Sequence, residues 1–303
     1  MDNYILNKIE NKLSQLRFQA QLKYWNEKEV FYSSHPVLLS LENEKRFIAS
    51  DFKKSKEEKS KALEQIESKI SVYLNENKLV VPSISYNCQI CNDTGYVESD
   101  NKKERCSCFT KMLIDEAMKD ERADLFNTFE DFNENIFDAA TKKQMLEICE
   151  YFKLYAKKFP NVKMPNTILH GNTGTGKTFL LSCLYSELKK AGVAVVFITA
   201  GKLFDYLKKY AFNQISDIDV LIEADLLIID DLGTEPLFNN ITVEYLFMLI
   251  NERNRNKKPF CISTNFNTDE LKARYTERIS SRLFDRSTTN IIYVPGVDLR
   301  TRF

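Results

Sequence analysis

Gly171-Asn172-Thr173-Gly174-Thr175-Gly176-Lys177-Thr178 stands between an apolar run ending at His170 and a stretch of helical character that begins near Thr178. This order of glycines, lysine and hydroxyl satisfies the Walker A pattern, and a strand before it with a helix after it is the setting in which such a loop works. Glycines are needed because the chain wraps a polyphosphate with its N–H groups pointing inward, through φ values costly for other residues. Gly171, Gly174 and Gly176 supply that freedom, and Asn172, Thr173 and Thr175 complete the backbone cradle. The following helix aims its positive end at the phosphates, Lys177 neutralises the β and γ oxygens, and Thr178 offers a hydroxyl to Mg2+. A nucleoside triphosphate with magnesium is the expected ligand.

Two further strand tips point to the same chemistry. Leu226-Leu227-Ile228-Ile229-Asp230-Asp231 is an apolar strand ending in two carboxylates, the form of a Walker B strand. Asp230 is the expected magnesium ligand, direct or through water. Asp231 is then placed to polarise the attacking water as general base, with Glu235 as the weaker candidate; a solvated strand end or a helix cap is the alternative for the pair. Cys261-Ile262-Ser263-Thr264-Asn265 is a third apolar strand with a polar tip, where Asn265 either orients water against the γ-phosphate or forms a turn.

Working outward, short β-rich runs at 167–170, 193–198, 226–229, 260–263 and 291–294 alternate with helical stretches. This predicts an α/β fold with a parallel sheet flanked by helices over 161–303. Residues 110–160 read as helix, loop, helix, with Phe126, Phe129, Phe132 and Phe137 between them, and are expected to be a linker with docking helices. Residues 1–80 read as helical, with Ile5, Ile9, Leu13, Leu16 and Ala20 spaced along one face. Trp25, His35 and His170 carry no functional signal. The 43 basic residues balance 43 acidic ones, which excludes a strong non-specific field for nucleic acid, so any such contact is local or depends on assembly. No stretch approaches a membrane span and no leader pattern opens the sequence, so a cytoplasmic protein without a membrane partner is expected.

Seven cysteines divide into a cluster and three singles. Cys149, Cys183 and Cys261 lie in apolar contexts, while Cys88-Gln89-Ile90-Cys91 and Cys106-Ser107-Cys108 form two close pairs, with residues 92–105 between them. Four thiolates suit tetrahedral zinc, and with every position filled by protein such a site is structural. Reduced thiols or a redox pair are the alternatives. A small zinc-binding segment is thus expected over 81–109.

The three strand tips, followed by Glu277-Arg278-Ile279-Ser280-Ser281-Arg282-Leu283, resemble the AAA+ ATPases. Asp230-Asp231-Leu232-Gly233, Ser263-Thr264-Asn265 and the Arg-x-x-Ser-Arg-Leu segment look like bacterial replicative-helicase loaders of the DnaC/DnaI type, with the IstB transposition helper ATPases as near relatives. The resemblance spans about 125–303. It implies a slow, assembly-dependent ATPase that binds a hexameric replicative helicase through residues 1–80, places it on single-stranded DNA, and associates with itself through the ATPase domain. Arg282 is then an arginine finger reaching a neighbouring subunit's γ-phosphate, with Arg278 at the same interface. Two features depart from the family pattern. Most AAA+ proteins carry Glu where Asp231 stands, although loaders of this type use Asp. Residues 283–303 are also too few for the usual helical lid, leaving Arg300 as a candidate second sensor. An IstB-like transposition helper, or a nucleotide-gated adaptor with little turnover, are the competing readings.

Overall fold

The computed structural model describes residues 3–51, 55–99, 102–117, 127–212, 218–236 and 241–299. Phe126 and Arg300, both singled out in the sequence, lie outside them. The chain divides into two compact units, Glu10–Glu104 and a second formed by Met1–Ile9 with Arg105–Phe303.

Helix α1 (Asn3–Ser33) buries Ile9 and Leu13 from the apolar face seen in the sequence. Pro36 opens α2 (Pro36–Ser50), where its missing N–H removes no helical bond. Ser55 and Glu58 start α3 (Lys56–Glu76) with a reciprocal capping box. In the Glu10–Glu104 unit, Tyr32, Leu38, Ile48, Ile66 and Ile70 form a small core. A two-stranded sheet follows, β1 (Tyr96–Ser99) with β2 (Lys102–Arg105), and then α4 (Ser107–Ala117).

The larger unit is built on five parallel strands: β3 (Asn166–His170), β4 (Val195–Thr199), β5 (Leu226–Asp230), β6 (Phe260–Thr264) and β7 (Thr289–Tyr293). Their order across the sheet is β4-β5-β6-β3-β7. Every residue of β5 and β6 is buried, as expected of parallel strands covered on both faces. On one face Leu169, Val195, Phe197, Leu226, Ile228 and Cys261 join Met145, Phe152 and Tyr155 of α5 (Ala139–Lys158) and Leu180, Leu181 and Leu184 of α6 (Lys177–Lys190) in a single core. The alternate strand residues turn to the other face. There α7 (Ala200–Ala211) contacts β4 and β5, and α9 (Ile241–Arg255) contacts α7, α8 (Asp219–Glu223) and α11 (Glu277–Leu283).

A fully buried Arg253 joins three of these pieces. Its guanidinium donates to the carbonyls of Leu221, Ile222, Ala224 and Pro259, tying α9 to α8 and to the start of β6. No described helix is long and apolar enough to cross a membrane.

Candidate nucleotide site

Strand order decides which loops meet. Because β6 lies between β5 and β3, and His170 is in register with Thr264, the loop leaving β3 and the tip of β6 emerge side by side. Ile229 pairs with Ile262, which sets Asp230 against Ser263 in the same way. The first loop, the Asp-Asp tip and Asn265 therefore converge at the C-terminal edge of the sheet, where open α/β sheets bind ligands.

Gly174 shows why the loop needs glycine. Its φ is +76°, and a methyl group there would come within 1.9 Å of Asp298 Oδ1. The stretch after β7 lies along this loop: Val294 N–H donates to His170 O at 2.8 Å and Leu299 N–H to Gly174 O at 3.0 Å. Lys177, buried at the start of α6, donates through Nζ to Gly171 O (2.8 Å), Asn172 O (2.7 Å) and Asn265 Oδ1 (2.8 Å).

Thr178 Oγ1 is 2.9 Å from Asp230 Oδ2, so a hydroxyl and a carboxylate form an all-oxygen pair of the kind a hard divalent cation prefers. Burial raises the Asp230 carboxyl above its ordinary range; the Ser263 hydrogen bond opposes this and the adjoining Asp231 charge adds to it. Ser263 carries no catalytic or binding signal of its own in the sequence, yet it belongs to the site. Its hydroxyl donates to Asp230 Oδ1 and accepts from Asp231 N–H at 2.8 Å, so it orients the Asp230 carboxylate and fixes the backbone at Asp231.

Asp231 has φ +58°, the left-handed region. Aspartate tolerates that conformation better than most residues, which gives a backbone reason for Asp at this position. Glu235 is buried and engaged by Gly233 N–H, Tyr275 and Arg274, and it does not line the nucleotide cleft.

The cleft has a volume of about 460 Å³. Thr173, Gly174, Lys177, Thr178, Asp231 and Asn265 form its polar end. Its apolar wall is Phe132, Ile136, Phe137, Met145, Phe179 and Leu299, with Asp131 and Asn133 at the margin. Phe132 and Phe137 belong to the stretch expected to be a linker with docking helices; two short 3₁₀ turns, Phe129–Asp131 and Glu134–Ile136, carry them into the wall as a stacked pair with centroids 5.8 Å apart. Aromatic spacing alone does not show which cavity a loop will line.

Arg278 and Arg282 are exposed on α11. Both lie over the Phe247 ring, at 4.2 and 5.5 Å, and Arg282 Nε donates to Asn251 Oδ1 at 3.2 Å. Neither lines the cleft.

The Sγ atoms of Cys88, Cys91, Cys106 and Cys108 lie within 4.8 Å of one another. Tetrahedral zinc with ~2.3 Å Zn–S bonds needs sulfurs ~3.8 Å apart, so the set fits that ion. Asn92 and Asp93 take left-handed φ values, Asp93 accepts from the N–H groups of Asn87 (2.9 Å) and Cys88 (2.7 Å), and Gly95 N–H lies 3.3 Å from Cys91 Sγ. This is a knuckle whose turn geometry directs sulfur inward.

A five-stranded parallel sheet with a strand inserted between its Walker A and Walker B strands, and an acid pair beside a P-loop, defines a P-loop ATPase core of the AAA+ class. The chain belongs to the IstB-like ATP binding proteins, whose family model matches residues 116–300. It is similar to the replicative helicase loader DnaC of Escherichia coli (strain K12), 27% identical over 135 residues that make up 43% of this chain and 54% of that protein. The replicative helicase loader DnaI of Bacillus subtilis (strain 168) is 24% identical over 179 residues, 58% of this chain and 54% of that protein. The chain thus spans about half the length of these curated relatives. A crystal structure of DnaI matches with a TM-score of 0.47 at 24% identity, covering 59% of this chain and 93% of that one.

Proposed function

We propose that this chain is an ATP-dependent loader that binds a hexameric replicative DNA helicase and helps place it on single-stranded DNA, hydrolysing ATP where its own subunits meet. The observation that carries the ATPase reading is a single cleft whose polar end gathers Lys177, Thr178, Asp231 and Asn265, while Arg282 stands outside it. The apolar wall suits a flat base. Thr178 and Asp230 would hold Mg2+, which supplies charge neutralisation at the phosphates. Lys177 binds the β and γ oxygens, Asp231 takes the proton of the attacking water, and Asn265 orients that water. Arg282 serves the cleft of a neighbouring subunit, which makes turnover depend on self-association. Cys88, Cys91, Cys106 and Cys108 hold a structural zinc ion.

The helicase partner is supported by likeness to proteins named as helicase loaders, and residues 1–80 are the proposed grip on it. The family match favours a second reading, a transposition helper that assembles on duplex DNA. The immobilised chain should retain a hexameric replicative helicase from a bacterial lysate in an ATP-dependent manner. Retention of a transposase with duplex DNA, and of no helicase, would establish the second reading instead.

A further inference from the structure

Glu235 follows the Walker B turn, and its side chain is fully buried. Oε2 accepts from the Gly233 N–H at 2.8 Å. Oε1 accepts from the Tyr275 hydroxyl and lies 3.6 Å from Arg274 Nε. Arg274 also donates through Nη2 to the Glu235 carbonyl oxygen. One acidic residue therefore grips the turn that carries Asp231 and, at the same time, the chain just after α10 (Thr268–Arg274).

Both ends of that grip continue into the site. Thr234 Oγ1 donates to Asp231 O at 2.9 Å, so the turn held by Glu235 includes the backbone of the proposed base. Gly233, at φ +108°, lies so close to the Phe266 ring that a methyl group there would come within 2.3 Å of Cδ2. Phe266 follows Asn265, and the Arg274 guanidinium stands 5.9 Å from its ring. At the far end, Tyr275 is followed by Thr276, whose carbonyl accepts from Ile279 and Ser280 N–H and so begins α11, the helix of Arg278 and Arg282. Burial raises the pKa of the Tyr275 hydroxyl and the facing Glu235 charge raises it further, which keeps it a donor.

We infer that Glu235 is a positioning residue that ties the Asp231 turn to α11, so that nucleotide bound by one subunit sets how that subunit presents Arg282 to its neighbour. This rests on the reading of Arg282 as an arginine acting between subunits. The physical reason is the stiffness of a buried network: the Gly233 N–H, the Tyr275 hydroxyl and the Glu235 carboxylate would each lose a hydrogen bond if one moved alone, so turn and helix move together.

Hydrogen exchange over residues 276–284, with and without Mg-ATP, tests the tie without requiring turnover. In the wild type, nucleotide should change exchange across α11. Tyr275→Phe keeps the ring and removes one hydrogen bond, and Glu235→Gln keeps the shape and weakens the grip on Arg274. Both should bind ATP as the wild type does, lose the response in α11, and lose ~10- to 100-fold of the assembly-dependent hydrolysis. If Glu235→Gln does not fold, Tyr275→Phe decides alone. A persisting α11 response with a lowered melting temperature would reduce the network to a structural brace and overturn the inference, as would a wild-type α11 indifferent to nucleotide. Should Arg282→Ala itself leave hydrolysis unchanged, the reading between subunits fails, and the exchange result still decides whether Glu235 joins turn to helix.

Discussion

Lys177 spends all three of its donors on two loop carbonyls and Asn265, so its ammonium already sits in an acceptor-lined corner where phosphate oxygens can take over. Lys177→Ala removes the positive charge at the centre of that corner. Losing one partner of a buried charge pair costs about 2 to 5 kcal/mol, and a fluorescent-nucleotide titration should show ATP affinity falling ~30-fold or more. Asp231→Asn separates chemistry from binding more cleanly, because asparagine also accepts the left-handed φ of that position. Nucleotide affinity should stay near wild type while kcat falls ~10²- to 10⁴-fold, since an amide cannot take the proton. Persistent turnover in this variant would end the assignment of Asp231, and the enclosed Glu235 offers no ready substitute. That these residues meet in one cleft could be read in the sequence because each strand tip pairs a short apolar run with an unusual polar end. Ser263 could not, since its importance comes from register, which places it opposite Asp230 rather than near it in the chain.

At the level of elements, the two 3₁₀ turns before α5 change the meaning of their phenylalanines. The proposed base slot predicts that Phe137→Ala weakens ATP binding by ~5- to 150-fold, the range expected for losing one aromatic platform worth ~1 to 3 kcal/mol. Competition by inorganic tripolyphosphate should be unaffected; an equal loss for both would mean the phenylalanine supports the loop and not the base. The strands were legible because parallel strands buried on both faces read as unbroken apolar runs, as in Leu226–Ile229. The irregular turns around Phe132 have no such period, so their destination emerged only with the fold. The cysteine knuckle makes a separate prediction. Protein purified without chelator should carry one zinc per chain, released as a thiol reagent titrates Cys88, Cys91, Cys106 and Cys108. Cys91→Ser should loosen residues 86–109, because ligation contributes folding free energy locally. ATP binding should persist in that variant, and its loss would show that knuckle and nucleotide site fold as one.

For the molecule as a whole, an Arg282 that does not line the cleft of its own chain makes complementation the informative measurement. Arg282→Ala keeps a sound cleft and should bind ATP normally while losing assembly-dependent hydrolysis, a contribution of ~10³ to 10⁵ in rate where such arginines act in P-loop enzymes. Lys177→Ala keeps the arginine and loses the cleft. Mixed assemblies of the two should regain part of the activity, and demonstrated mixing without recovery would return Arg282 to an ordinary surface charge. The segment from Val294 to Leu299 has its own consequence at this scale. Its backbone clasps the phosphate loop at His170 and Gly174, and Leu299 forms part of the cleft wall. A pull on the chain beyond Leu299 is therefore a pull on the cleft itself, and a tether fused there will shorten the residence time of nucleotide under tension.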